Sequence, residues 1–360
     1  MVGRCRAADP PGGDPPDMSS TTDPARRSRT VVALGVFVPA VVLLAACGGS
    51  KRAAPRTTTT RPKAPTATTT QRSAVTTSSP CGRVTTPPRW QHVIVVIFEN
   101  HRHGDVIDNR AAPYATELAR ECGTATNWSD AGSAYPSLPN YIGLTSGQDG
   151  KDVGITGDCD AGAPPDKACT TGADNIFRQA RKTGVSVKSY QEDMPGNCHI
   201  GEGGGYREHH NPAVYYRGDG GGDWSDCQKN DVPMGSLSGG GNLFDDLERD
   251  TLPNIAFVEP NNCHNTHDCQ VAQGDAWAAK FFPRIFASKA YRDGRTTVLW
   301  LWDEDTPIPN VIVSPATRPG TVSADAISHY SALRAIEEIF GLPLLGHANG
   351  ARDMRPLFNL

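Results

Sequence analysis

The chain has 360 residues, of which 38% are hydrophobic and 21% charged, with 37 glycines and 29 prolines. This composition excludes a coiled coil, a collagen and a multi-pass membrane protein, and the length allows one large domain or two smaller ones. Five arginines and four aspartates give residues 1–46 a net charge of +1, and six basic residues give 47–80 a charge of +6, so the overall −4 leaves −11 for 81–360. Because nucleic-acid binding needs a basic surface, the acidic main region argues against a nucleic-acid partner. Its carboxylates serve either a metal site or solubility alone.

The first 46 residues have the organisation of an export signal. Three arginines within residues 26–29 precede an apolar run over 31–46. This run is shorter than the roughly 20 residues that a membrane span needs, but it suits the apolar region of a secretory signal. We therefore predict a signal peptide over residues 1–46, with Met18 as an alternative start.

A cysteine follows the apolar run in the sequence Leu-Ala-Ala-Cys47-Gly. This pattern resembles the lipobox of bacterial lipoproteins, which implies lipidation of Cys47 and a location on the outer face of the cytoplasmic membrane, in the cell envelope. The alternative is an ordinary signal peptide with an incidental cysteine. Residues 47–80 are rich in Thr, Pro, Ala and Ser without apolar periodicity, so they cannot bury enough surface to fold. We predict a disordered tether there and one folded domain over 81–360.

Cysteine usage in the main region agrees with export. Its eight cysteines form an even set, which in an exported domain indicates four disulfides. Many connectivities are compatible with eight cysteines, and we expect nearest-neighbour pairing, with Cys159–Cys169 and Cys263–Cys269 as the best-supported pairs. The eight residues are Cys81, Cys122, Cys159, Cys169, Cys198, Cys227, Cys263 and Cys269.

Short apolar runs alternate with helical patterns along the main region. Continuous apolar runs of strand length are typical of strands buried on both faces of a sheet. The alternation predicts an α/β domain with a mostly parallel sheet covered by helices. The predicted strands are 92–98, 186–190, 254–258, 297–302 and 311–313, and the predicted helices are 113–121, 175–182, 274–290 and 329–340.

Polar residues follow three of these strands at the point where each strand ends. The first leads into Glu99 and Asn100, the third into Glu259 and the segment 262–268, and the fourth into Asp303-Glu304-Asp305. Ligands of open α/β sheets bind beyond the carboxyl ends of strands, so these side chains are expected to meet at one edge. Carboxylate and amide oxygens favour Mg, Ca or Mn, whereas histidine ligands would admit Zn or Fe. The sequence thus predicts a divalent metal site.

A nucleophile candidate is Ser137, in the sequence Tyr-Pro-Ser137-Leu-Pro-Asn140-Tyr. A serine near a helix N-terminus can meet a phosphate oxygen, and a neighbouring cation would ease loss of its hydroxyl proton. The alternative is that Ser137 only caps the helix.

Five short segments, which include those around Glu99, Ser137 and Asp303, resemble the phosphoesterase family in sequence and in their order along the chain. That family contains bacterial acid phosphatases and phospholipases C and belongs to the alkaline phosphatase-like superfamily. The resemblance covers roughly residues 92–345 and implies a central sheet with helices on both faces and metal-assisted phosphoryl transfer. The segments are Glu99-Asn100, Pro136–Tyr141, Phe257–Asp268, Trp302–Asp305 and His329–Ser331.

The resemblance also implies a role for individual residues. Ser137 resembles the nucleophile, and His267 is our choice as the acid that protonates the leaving oxygen. The implied metal ligands are Glu99, Asn100, Ser137, Asp303 and Glu304, with contact to the phosphate as the alternative role of Asn100. The implied substrate contacts are Asn140, His209, His210 and His329.

One departure from the family is His264-Asn265, where members often have Asn-Asp. If that Asp helps to bind a second metal, the neutral Asn265 puts the second metal site in doubt. A site for one metal does not depend on this position. The sequence stops at Leu360, soon after the last of these segments, without the additional C-terminal modules of long phospholipases C, which favours a small phosphatase or a general phosphoesterase. We therefore expect a membrane-tethered, metal-dependent phosphomonoesterase that forms a phosphoserine and acts on a small phosphate ester or a phospholipid. A phospholipase C or another phosphodiesterase is one alternative, and a non-catalytic surface-binding lipoprotein is another.

Overall fold

The structure is a computed structural model that describes residues 79–132, 136–163, 167, 169–217 and 225–360. The chain divides into two units, Met1–Arg72 and Ser73–Leu360, and every described residue belongs to the second. The predicted signal peptide, the Met18 start, Cys47 and all but the last two residues of the tether lie outside the described residues. Among the residues described, no helix combines the length and apolar character needed to cross a membrane.

The core of the domain is an eight-stranded sheet in the order β5-β4-β6-β1-β7-β8-β2-β9. Seven of its strands run in the same direction, and only β8 is antiparallel to its neighbours β7 and β2. The strands are β1 (His92–Phe98), β2 (Gly123–Ala125), β4 (Val187–Gln191), β5 (Asp231–Pro233), β6 (Ile255–Glu259), β7 (Thr296–Trp302), β8 (Asn310–Val313) and β9 (Thr321–Ser323), and a separate two-stranded sheet pairs β3 (Trp128–Ser129) with β10 (Ile327–Ser328).

Eleven α-helices are formed by the described residues, together with three short 3-10 helices at Glu208–His210, Pro212–Tyr215 and Gly346–Asn349. The α-helices are α1 (His103–Val106), α2 (Pro113–Glu121), α3 (Ser137–Ser146), α4 (Gly150–Val153), α5 (Ile176–Thr183), α6 (Ser225–Asn230), α7 (Asn242–Glu248), α8 (Val271–Ala287), α9 (Lys289–Arg292), α10 (His329–Phe340) and α11 (Arg355–Phe358).

Strand register shows that helices cover both faces of the sheet. Trp300 of β7 pairs in register with Val96 of β1, and its ring packs 4.7 Å from Phe282 of α8. Phe257 of β6 pairs with the adjacent β1 residue, Val95, and therefore lies on the opposite face, where its ring packs 5.4 Å from Phe177 of α5. Because successive strand residues point to opposite faces, α8 and α5 cover different sides. The predicted α/β fold with a mostly parallel, doubly covered sheet is confirmed.

The predicted elements are present, with small differences at their ends. Strand 92–98 and helices 113–121 and 329–340 have the predicted bounds. The predicted helix 274–290 is instead two helices, because the chain leaves the helix at Ser288, whose hydroxyl accepts a hydrogen bond from the Tyr291 N–H and begins α9. The helix expected beside Ser137 is α3, which begins at Ser137 itself.

Four disulfides connect neighbouring cysteines along the chain, as predicted. They join Cys81 to Cys122, Cys159 to Cys169, Cys198 to Cys227 and Cys263 to Cys269. Two of them close loops that the site uses: the Cys198–Cys227 loop carries His209 and His210, and the Cys263–Cys269 loop carries His267.

Close packing holds α3 against the segment that follows β3. A Cβ atom on Gly143 would lie 2.2 Å from the Ala131 Cβ, far inside van der Waals contact. The Ala131 N–H also donates to Asn140 Oδ1 at 3.1 Å. Glycine at 143 therefore lets the helix that carries Ser137 approach this segment.

Gly143→Ala should lower the free energy of unfolding by about 1–3 kcal/mol, the usual cost of overpacking a core. This loss should appear although alanine is the better helix former by about 1 kcal/mol. Urea unfolding followed by circular dichroism measures it. Gly104→Ala in α1 is the control, because nothing lies within 4 Å of a Cβ there; equal stability of the two variants would contradict the packing account.

Candidate active site

Three carboxylates meet at the carboxyl edge of the sheet. Glu99 directly follows β1, Glu259 is the last residue of β6, and Asp303 directly follows β7. Since β1 lies between β6 and β7 in parallel register, the three strands end side by side. All three side chains are buried. This edge is where open α/β sheets bind ligands.

The Ser137 hydroxyl points at this carboxylate cluster. Ser137 is the first residue of α3, and its Oγ donates to Glu99 Oε2 at 3.0 Å. Pro136 occupies the N-cap position and makes no side-chain cap, while the Leu138 N–H donates to Asp158 Oδ1 at 3.0 Å. The hydroxyl is therefore engaged by the site rather than by the backbone of its own helix, unlike the capping alternative.

Tyr141, one helical turn after Ser137, completes the contacts of Glu99. Its hydroxyl donates to Glu99 Oε1, the oxygen that Ser137 does not use. Its ring stacks on His210 with centroids 5.6 Å apart. Residues four apart share one face of a helix, so α3 directs both hydroxyls at the same carboxylate.

The loop after β6 is fastened to the end of β1. The Glu99 N–H donates to the Asn265 carbonyl at 2.8 Å, and the Thr266 hydroxyl donates to the Glu99 carbonyl at 3.0 Å. Thr266 has φ 78° and Asn100 has φ 54°. Positive φ is costly for a β-branched residue, and such strain is concentrated at functional sites.

A group with metal-ligand spacing is formed by Glu99, His210 and Glu259, whose ligand atoms all lie within 4.8 Å of one another. His210 Nε2 is 3.5 Å from Glu99 Oε2. Asn265 Nδ2 donates to Glu259 Oε1 at 3.1 Å and so orients that carboxylate. A second such group, Cys198, Cys227 and Asp231, contains a disulfide, and its sulfurs are therefore not thiolate ligands.

Four buried polar atoms of the cluster have no hydrogen-bond partner among the described residues. They are Asn100 Oδ1, His210 Nε2, Glu259 Oε2 and Asp303 Oδ2. Buried polar atoms are nearly always paired, and each exception calls for an unseen water or ion. A divalent cation held by these oxygens and the imidazole nitrogen would satisfy them, so the donor set fits a metal.

Burial and mutual repulsion disfavour the charged forms of these acids. Burial raises the pKa of Glu99 well above its ordinary value, and the neighbouring charges of Asp303 and Glu259 raise it further. Burial likewise raises the pKa of Glu259, and it raises the pKa of Asp303 from 3.8 to about 6. A cation would remove this repulsion, because an opposite charge favours the ionised form.

Glu304 and Asn140 lie beside the cluster. Asn140 Nδ2 is 3.5 Å from Glu304 Oε2. Burial raises the pKa of Glu304 to about 9, with further contributions from Asp303, Asp305 and other acids. Asn140 is therefore a donor to the acidic side of the site, and its predicted substrate contact stays a prediction.

The histidines occupy two different settings. His329 is buried, and its Nε2 donates to the Asp303 carbonyl at 2.6 Å, which places it behind the carboxylate cluster. His210 contacts the cluster itself, and burial holds the pKa of its imidazole well below the usual range. His209 and His267 are partly exposed at 23% and 33% and flank His210, with ring centroids 4.4 and 5.4 Å from it.

Among the predicted site residues, the structure brings Glu99, Asn100, Ser137, Asp303 and His210 together. Asn100 joins the cluster through its N–H, which donates to Asp303 Oδ1 at 3.0 Å. Glu259 was expected at this edge but was not among the predicted metal ligands, and Tyr141 was not predicted at all. The four-residue spacing from Ser137 could have indicated Tyr141.

Known proteins share this combination of sequence features. The profile of the phosphoesterase family matches residues 102–307, more than half of the chain. Over 271 residues the chain is 30% identical to the phosphatidylinositol-3-phosphatase of Mycobacterium tuberculosis, covering 73% of this chain and 81% of the relative. The chain belongs to the phosphoesterase family.

Another relative of this phosphoesterase is a probable acid phosphatase of Kluyveromyces lactis, 25% identical over 72% of this chain and 61% of the relative. The predicted family is thus confirmed, and with it the class of enzyme, a hydrolase of phosphoric esters. Solved structures with a similar fold include an alkaline phosphatase superfamily protein of Vibrio parahaemolyticus, at 12% identity and TM-score 0.47 over 76% of this chain and 71% of that one.

Stability of the phosphoesterase without metal should fall as the pH rises. Unfolded carboxyl groups lose their protons near pH 4, whereas burial raises the pKa of Asp303 to about 6 and also raises the pKa of Glu99 well above its ordinary value. The folded state therefore binds more protons above pH 4, and its stability decreases as the pH rises from about 4 through 6. In chelator, the melting temperature should be lower at pH 8 than at pH 5, and Mg, Mn, Ca or Zn should restore it at pH 8.

Two variants distinguish the contribution of the site to this pH dependence from that of other buried acids. Glu259→Gln should flatten this pH dependence and weaken the response to metal. Glu337→Gln should flatten the pH dependence alone, because Glu337 is buried with a pKa raised to about 8 but hydrogen-bonds to Leu345 in another part of the domain. A melting temperature in chelator that does not change with pH, or that no cation raises, would contradict a metal site built on these acids.

Proposed function

We propose that this phosphoesterase is an exported, membrane-tethered and metal-dependent phosphomonoesterase that acts through a phosphoserine at Ser137. The observation that carries the proposal is the Ser137 hydroxyl, 3.0 Å from a buried glutamate, beside carboxylate and amide oxygens that lack partners. A hydroxyl held next to a cation site is the arrangement that an activated oxygen nucleophile needs.

The metal would be held by Glu99, His210, Glu259 and Asp303, with Asn100 as a further oxygen donor. When bound, a divalent cation supplies Lewis-acid stabilisation of the phosphate oxygens and lowers the pKa of the serine hydroxyl. The separate contribution of the chain is geometric: α3 and β1 hold the Ser137 oxygen against Glu99 before substrate arrives.

The first chemical step forms a bond from Ser137 Oγ to phosphorus and breaks the bond from phosphorus to the leaving alcohol. The hydroxyl proton leaves along the existing hydrogen bond toward Glu99 Oε2. His267, whose Nδ1 lies 2.8 Å from Asp268 Oδ1, gives a proton from Nε2 to the departing oxygen. The products are the free alcohol and the phosphoserine.

The second step returns the enzyme to its starting state. Water occupies the position of the departed alcohol, gives a proton to His267 Nε2 and attacks phosphorus from the side opposite Ser137. The bond from phosphorus to Ser137 Oγ breaks, and Oγ recovers the proton that Glu99 Oε2 took in the first step. Two in-line displacements give net retention at phosphorus, with inorganic phosphate as the product.

Monoesters are the proposed substrates because the relatives reported above are named as phosphatases. The name of one of them, a phosphatidylinositol-3-phosphatase, supports a phospholipid as well as a small ester. Phospholipase C or other diester activity is the competing outcome. Parallel assays of p-nitrophenyl phosphate and bis-p-nitrophenyl phosphate, with and without chelator, decide between monoesterase and diesterase activity. No hydrolysis of either substrate with several metals would favour a non-catalytic binding lipoprotein.

Ser137→Ala should lower kcat for p-nitrophenyl phosphate by at least about 10³-fold, because loss of a nucleophile removes the covalent route. Its melting temperature should stay close to that of the parent. Ser146→Ala is the matched control: Ser146 is buried at the other end of α3, and its hydroxyl donates to the Ile142 carbonyl. Full activity of Ser137→Ala would exclude the proposed mechanism.

The tether proposal rests on the sequence before residue 79. Lipidation of Cys47 would hold the domain at the outer face of the membrane, with residues 48–80 as a spacer. Cys47→Ser should move the protein from the membrane fraction to the soluble secreted fraction without changing its turnover of p-nitrophenyl phosphate. Cys5→Ser is the control, since Cys5 precedes the apolar run; an unchanged distribution of Cys47→Ser would contradict the anchor.

A further inference from the structure

A closed chain of contacts runs around the rim of the site and joins the two loops that are tied by disulfides. The Cys198–Cys227 loop contributes an arginine, a glutamate and two histidines, and the Cys263–Cys269 loop contributes a histidine and an aspartate. Taken in order around the rim, the members are His267, Asp268, Arg207, Glu202, His209 and His210.

Arg207 is the member that bridges the loops. Its Nη2 lies 3.2 Å from Asp268 Oδ2, and its Nε lies 3.4 Å from Glu202 Oε2. Its Nη1 donates to the Tyr206 carbonyl at 3.1 Å and to the Gly204 carbonyl at 3.4 Å. Four acceptors on three sides of a planar guanidinium fix its orientation, which an ammonium group could not reproduce.

Asp268 connects Arg207 to His267 and thereby fixes the orientation of the His267 ring. One oxygen of the Asp268 carboxylate faces Arg207, and the other lies 2.8 Å from His267 Nδ1. A carboxylate held at both oxygens cannot rotate, so it fixes the plane of the imidazole and the direction of Nε2. No described residue hydrogen-bonds to His267 Nε2, and the ring lies 5.4 Å from that of His210, which itself contacts Glu99.

We propose that Arg207 is a positioning residue that, through Asp268, aims His267 Nε2 at the oxygen of the leaving group. This inference rests on the proposed function, in which His267 protonates that oxygen as its bond to phosphorus breaks. Arg207 and Asp268 are partly exposed, at 27% and 48%. Exposed ion pairs contribute little to folding stability, so their loss should change the geometry of proton transfer rather than the fold.

Substrates with different leaving groups distinguish a loss of proton transfer from a general loss of activity. Phenolate is a strong base and needs a proton as it departs, whereas 2,4-dinitrophenolate leaves as a stable anion without one. Arg207→Met should lower kcat/KM for phenyl phosphate by about 10-fold or more, since general acid catalysis contributes on the order of 10²-fold. For 2,4-dinitrophenyl phosphate, whose leaving group needs no proton, the variant should lower kcat/KM by less than about 3-fold. Arg217→Met, in the same loop with its side chain on Thr170, should change neither value.

Two further variants test the route through Asp268. Asp268→Asn should show the same selective loss, and the double variant with Arg207→Met should lose no more than Asp268→Asn alone, because both act on one imidazole. Arg207→Lys, which keeps the charge, should show the same selectivity with a smaller loss and provides the test if Arg207→Met melts early.

Equal losses on the two substrates, or no loss on phenyl phosphate, would overturn the positioning role while leaving the proposed function intact. Additive losses in the double variant would overturn the route through Asp268. Wild-type protein that hydrolyses neither phosphate monoester, with divalent metals supplied, would overturn the proposed function, and the positioning role with it.

Discussion

Repulsion among buried carboxylates is the constraint on which the rest of this site depends. Glu99, Glu259 and Asp303 are forced together by the parallel register of three neighbouring strands, and all are buried. Folding therefore brings like charges into a dry environment, which raises their pKa values and leaves buried oxygens without partners. Such an arrangement is unfavourable alone, and the divalent cation that we propose binds here would remove the repulsion.

Three separate structural elements, one helix and two loops, bring the other parts of the site to these acids. Helix α3 directs two hydroxyls, from Ser137 and Tyr141, at the two oxygens of Glu99. The Cys263–Cys269 loop is hydrogen-bonded to the backbone of Glu99 and presents His267. The Cys198–Cys227 loop presents His210 against the same glutamate. Because each of these elements contacts Glu99, a displacement of this residue would disturb the proposed nucleophile, the proposed metal ligands and the histidines of both loops together.

The sequence allowed the sheet, its covering helices, the disulfide pairs and the cluster around Glu99, Ser137 and Asp303 to be predicted, because strand ends and short motifs are local features. It placed Glu259 at the same edge but did not name it as a metal ligand, because its proximity to Glu99 depends on strand order, a long-range property that local patterns do not contain. The structure places the His210 imidazole 3.5 Å from Glu99, and the predicted contact of His210 with substrate stays a prediction. His329 lies behind Asp303 and hydrogen-bonds to its backbone, because its helix begins beside that strand end, and its predicted substrate contact also stays a prediction.

The most direct test of this account is the state of Ser137 during turnover. Protein mixed with excess p-nitrophenyl phosphate and divalent metal should be quenched in acid within one turnover, digested and analysed by peptide mass spectrometry. Phosphate on the peptide that contains Ser137, absent from a sample quenched before substrate is added, is the predicted result. Rapid product formation with unmodified Ser137 at every quench time, or phosphate on a different residue, would contradict the proposal that this serine is the nucleophile.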